Sequence, residues 1–136
     1  MTKHTRTACG IVLITVPAIE YGGYFLLEIL SGSIPDLVLT EFQKSMFRAG
    51  HAHAGVLVIL SLVAIILSYH ARLAGFWKWM VLVGFPSSAV LVSGGFFAAA
   101  IGTGATQPNH LIFILFIGVF VLTAALLTLG IGLIKK

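Results

Sequence analysis

Along most of this chain polar and apolar residues do not alternate. Apolar residues instead run almost unbroken over four stretches, roughly Ala8–Leu30, Phe47–Tyr69, Phe76–Ile101 and Leu111–Ile134. Each has about the 20 residues that an α-helix needs to cross the hydrocarbon core. A segment in lipid has to satisfy its backbone internally, so helices are the form such runs take. The pattern predicts an all-α fold, a four-helix transmembrane bundle forming one integral membrane domain over residues 1–136. Lys3 and Arg6 ahead of the first run, with Ser31 and Ser33 after it, resemble the outline of a signal peptide. That run is long for such a peptide and carries Pro17, Glu20 and two glycines, so a retained helix is expected.

Between the runs lie polar connections. In the longer one, Pro35-Asp36 reads as a helix start, which predicts a short amphipathic surface helix over Asp36–Met46 leading into the second span. Pro17 in the first run and Pro86 in the third each remove a backbone donor, and bends are expected there. Gly22-Gly23-Tyr24-Phe25 through Gly32 aligns with Gly94-Gly95-Phe96-Phe97 through Gly104, with five identical positions. A 2+2 internal duplication would give two halves of the same topology, related by an axis along the membrane normal.

Composition sharpens the class. The chain of 136 residues is 59% hydrophobic and 9% charged, far below the roughly one-quarter charged residues of a soluble domain. Its exterior must face a lipid bilayer. The net charge of +4 does not signal nucleic acid. Lys3, Arg6, Arg72, Lys78, Lys135 and Lys136 flank spans on one side, leaving only Lys44 and Arg48 for the other. By the positive-inside rule both termini are cytoplasmic, in a multi-pass protein of the plasma (inner) membrane, with Tyr69, Trp77 and Trp79 at the inner interface. The single cysteine, Cys9, excludes an intrachain disulfide and reads as a packing residue.

The candidate chemistry gathers at Phe47-Arg48-Ala49-Gly50-His51-Ala52-His53-Ala54-Gly55, because ionisable groups inside a membrane span are costly and mark function. His51 and His53 fall in the outer half of the second helix, and His110 opens the fourth at a similar depth. Antiparallel pairing brings Glu20 of the first helix level with them. His4 and His70 lie on the other side. Residues two apart on a helix point about 200° from each other, so His51 and His53 occupy different faces and one metal ion cannot take both.

Three functions follow from that cluster. A b-type haem would take His51 or His53 with His110 as axial ligands, Gly50 and Gly55 admitting the macrocycle and Arg48 pairing with a propionate. A copper, iron or zinc site would draw on His110 and Glu20 with one of the two helix-2 histidines, His53 or else His51. A small ion or proton transporter or channel subunit would use Glu20 with a histidine, and with four helices it would need a homo-oligomer or a larger membrane complex. A fourth possibility is an accessory membrane subunit without chemistry of its own. Glycines 94, 95, 118, 130 and 132 could pack helices within or between protomers.

The segment Arg48-Ala49-Gly50-His51-Ala52-His53, followed by Ala54-Gly55-Val56-Leu57, resembles small four-helix bacterial membrane proteins related to the catalytic subunit of haem-copper oxidases. In them an Arg-Ala-His-Ala-His segment leads into a Leu-Leu-Gly-Trp run. The resemblance covers about ten residues of helix 2 and implies a haem ligand at His51 or His53, with haem binding or electron transfer as the role. Here Gly50 intervenes before His51, no Gly-Trp follows, and the histidines are too few for a separate copper centre, so oxygen reduction is not implied.

Overall fold

A computed structural model describes residues 1–34 and 37–135. They form four helices, α1 (Lys3–Leu30), α2 (Glu41–Leu67), α3 (Gly75–Ala99) and α4 (Ile112–Ile134). All four are long and apolar enough to cross a membrane, which makes this a multi-pass membrane protein.

The helix ends depart from the hydropathy boundaries because capping, not apolarity, sets them. α1 starts at Lys3 rather than Ala8, since the Thr2 hydroxyl accepts the Thr5 N–H and so satisfies an orphan donor of the first turn. It runs on as one helix through Pro17 and ends where Gly32 takes φ +74°, the left-handed conformation that terminates helices. α2 starts at Glu41 rather than Phe47. A capping box places it there: Gln43 N–H donates to Thr40 Oγ1 at 3.1 Å and Thr40 N–H to Gln43 Oε1 at 3.2 Å. The expected surface helix is therefore not a separate element, since residues 41–46 are the first turns of α2. The proposed start at Pro35-Asp36 lies outside the described residues. α2 and α3 each stop two residues short of the expected Tyr69 and Ile101, and α4 begins one residue after Leu111.

α3 is the central element. It packs against α2 on one side and α4 on the other, α1 packs chiefly on α2, and α1 and α4 form no packed interface. The main core joins Ala64 of α2, Val81 and Phe85 of α3, and Ala125 and Leu129 of α4. A smaller cluster, Val12 with Ile65 and Leu82, holds the N-terminal half of α1. Small residues let α3 and α4 approach closely: a methyl at Gly95 would lie 2.5 Å from the Leu115 backbone nitrogen, and one at Gly118 2.7 Å from that of Val92. At the far end the α2–α3 turn tucks under α4, with Arg72 N–H donating to the Gly132 carbonyl at 2.8 Å.

Two amides tie the helices together at the other end of the bundle. The buried Gln43 donates to the Ala100 and Gly102 carbonyls at 3.0 and 2.8 Å. Asn109 donates to Ala98 O at 2.9 Å and Ile101 O at 3.2 Å, while its own Oδ1 accepts the Leu111 N–H at 2.8 Å. The unpaired carbonyls at the end of α3 are thereby satisfied. These links also fix the register between α2 and α3 near the histidines.

Candidate functional site: a cavity between α1, α2 and α3

Because α1 leans on α2 and scarcely touches α3, a space of about 550 Å³ remains among the three helices. Its walls are almost wholly apolar. α2 contributes one stripe, His51, Ala54, Val58 and Ser61, spaced as a helix face requires. α1 faces it with Val12, Thr15 and Ile19, and α3 with Pro86, Ser93 and Phe97.

His51 is half-buried and projects from α2 onto α1. A methyl at Gly23 would come within 2.9 Å of both Cε1 and Nε2 of its ring, so the imidazole edge occupies the space that a side chain would otherwise fill. Among the described residues no hydrogen-bonding partner faces either ring nitrogen. Gly50, one residue earlier, does the same for α3: a methyl there would sit 2.9 Å from the Phe97 ring. The helix is thus clamped between neighbours at two adjacent glycine contacts.

The other expected ligands go elsewhere. His53 turns to the opposite side of α2, where its ring lies 4.9 Å from that of Phe96 and its Nδ1–H donates to the Ala49 carbonyl at 2.7 Å. That bond leaves Nε2 as the free nitrogen. The divergence of His51 and His53 is the one their spacing requires. His110, Arg48 and Glu20 are exposed, and none of them lines the cavity. Tyr24, a neighbour of Glu20 on α1, gives its hydroxyl to Glu28 at 2.6 Å instead. Among the described residues no group of three or more His, Cys, Asp or Glu side chains is placed to hold a metal ion. His4 packs at a tilt on Trp79 with ring centres 5.3 Å apart, and His70 packs edge-on to Tyr69 at 5.2 Å.

Beyond His51 the cavity is lined by Gly22, Ser93, Gly94 and Phe97, and Ser93 carried no signal in the sequence. None of the protein-family models, curated proteins or solved structures compared with the chain matches it.

Proposed function

We propose that this protein serves membrane electron transfer by holding a redox-active, largely apolar cofactor in the α1–α2–α3 cavity, with His51 as the group that engages it. One observation carries the reading: an imidazole without a partner among the described residues stands in the wall of an apolar space at membrane depth. A space of about 550 Å³ falls within the roughly 300–1,000 Å³ of small-molecule sites, which combine apolar walls with a few polar groups.

Haem b is the cofactor to which the sequence resemblance points. One imidazole can ligate its iron, and Arg48, a turn nearer the outer end of α2, suits a propionate. Ligation through Nε2 requires the ring to swing away from Gly23, against which that edge now rests. A compact copper, iron or zinc centre has less behind it, since Glu20, His53 and His110 stand apart from the cavity wall. The transport alternative rests on Glu20, which lies exposed on α1.

The orientation proposed is both termini cytoplasmic in the plasma membrane, supported by the six basic residues on that side. A 2+2 duplication gains support from two aligned pairs. Gly23 and Gly95 each admit a residue of the following helix, and Gly32 and Gly104 both adopt positive φ, +74° and +66°.

The test is the absorption spectrum of protein taken from the membrane in native nanodiscs, oxidised and reduced, with a solvent extract of the same sample. One chromophore per chain is expected, lost in His51→Ala and kept in His53→Ala. A colourless protein whose extract holds no redox-active compound would contradict the reading.

A further inference from the structure

Among the described residues the buried hydroxyls are satisfied locally, Thr5 by the hydroxyl of Thr2 and the others by backbone carbonyls, with one exception. Ser61, Ser68, Ser88 and Thr128 each donate to a carbonyl one turn back at 2.7 Å. Ser93 is 7% exposed, and its Oγ has no partner. A buried hydroxyl left unpaired is costly, and such exceptions call for a specific cause. Ser93 lines the same cavity as His51. Gln43 of α2 bonds to the carbonyls of Ala100 and Gly102 beyond the end of α3. Eight residues on from Gln43 lies His51, and seven back from Ala100 lies Ser93, so the two polar groups stand at closely similar depth.

The cavity also continues. A second space of about 370 Å³ is bounded by His4, Thr7, Trp79 and Leu82 and shares Ile11, Val12, Pro86 and Ser87 with the first. Together they make one crevice between α1 and α3. It follows α3 from Phe97 to Trp79, about 27 Å at 1.5 Å per residue. A compact ring alone would leave most of it empty, whereas a ring carrying a long flexible apolar chain would fill it.

The head of such a ligand must be neutral. Ser93 lies six residues inside the end of α3, about 9 Å along its axis, and among the described residues no Lys, Arg, Asp or Glu lines either space. A phospholipid headgroup would be stranded there without a counter-charge. A carbonyl or hydroxyl oxygen would be met by the Ser93 hydroxyl and by the imidazole of His51.

We infer that the crevice binds a prenyl-type lipid with a neutral, oxygen-bearing head ring, of which a prenylated quinone is representative. The head lies between Ser93 and His51, and the chain runs between α1 and α3 toward Trp79 and His4. The inference rests on the functional reading above, since it names the ligand class of that same cavity.

The test measures how a naphthoquinone with an isoprenoid chain partitions between nanodiscs containing the protein and protein-free vesicles of the same lipid. Its tail-less analogue, 2-methyl-1,4-naphthoquinone, and haem b are titrated in parallel. Saturable retention of one tailed quinone per chain is expected, with the tail-less ring held more weakly. Ser93→Ala should weaken retention roughly two- to tenfold, the loss of one hydrogen bond. Gly94→Leu should abolish it: Gly94 borders the cavity and a β-carbon there meets nothing within 4 Å, so the side chain can start into the space without a backbone clash. Equal partition of the quinone into both membranes, or retention undiminished in Gly94→Leu, overturns the inference. If haem b then gives a Soret band dependent on His51, the functional reading stands and only the ligand class falls. If neither compound binds, both fall.

Discussion

At the scale of single residues, the pairing of His51 with Gly23 shows how a bulky polar group is housed in a membrane bundle. The ring edge fills the place of a missing side chain on α1. Gly23→Ala should therefore push the His51 ring out of this position, at a cost of about 0.5–1.5 kcal/mol for the displaced rotamer. The same substitution should cost little when combined with His51→Ala. Thermal unfolding of the four proteins in a double-mutant cycle measures the coupling, and a cycle with no interaction energy would dissolve the pair. Ser93 makes the opposite prediction. Its hydroxyl is buried and unpaired, so without ligand Ser93→Ala should raise stability by about 1 kcal/mol. A loss of stability in the ligand-free protein would show that the hydroxyl serves the fold.

At the scale of elements, α3 and α4 are held by a seam of glycines facing backbone, whereas the N-terminal end of α2 is held by Gln43. A β-carbon at Gly118 would already lie 2.7 Å from the Val92 backbone nitrogen, so Gly118→Leu should separate the two helices. Gly130→Leu, into open space, is the matched control. Gln43→Leu leaves the Ala100 and Gly102 carbonyls without their buried donor and should cost about 1–3 kcal/mol, read as a lowered unfolding temperature. The four helices themselves were legible, because unbroken apolar runs of this length admit little else. Their ends were less so: the Thr40-Glu41-Phe42-Gln43 capping box was present in the sequence, but Pro35-Asp36 gave a competing start signal. The opposed faces of His51 and His53 followed from helical spacing alone. The convergence of Glu20 and His110 with them did not come about, and the reason is physical. Helices that face lipid are apolar all round, so no amphipathic stripe announces which neighbour each face will meet. Depth could be read from the sequence, but the rotation of each helix and the order of packing could not. That order sets α1 and α4 apart, and with them Glu20 and His110.

At the scale of the whole molecule, α1 is the loosely held element and the crevice is its consequence. Tight contact with α2 at Gly23 and Val12, and sparse contact with α3, leave a space open along the bundle. Orientation fixes which side of the membrane the His51 end faces. With Cys9 replaced by alanine, a single cysteine at Thr103 should react with an impermeant maleimide from outside the cell. One at Thr2 should react only after the membrane is opened. The reverse pattern would place both termini outside. Native mass spectrometry of the protein released from its own membrane addresses the cavity most directly. One non-covalent small-molecule adduct per chain is expected, weakened in Ser93→Ala and absent in Gly94→Leu. Wild type and Gly94→Leu carrying the same bilayer phospholipids and nothing else would contradict a ligand site between α1, α2 and α3.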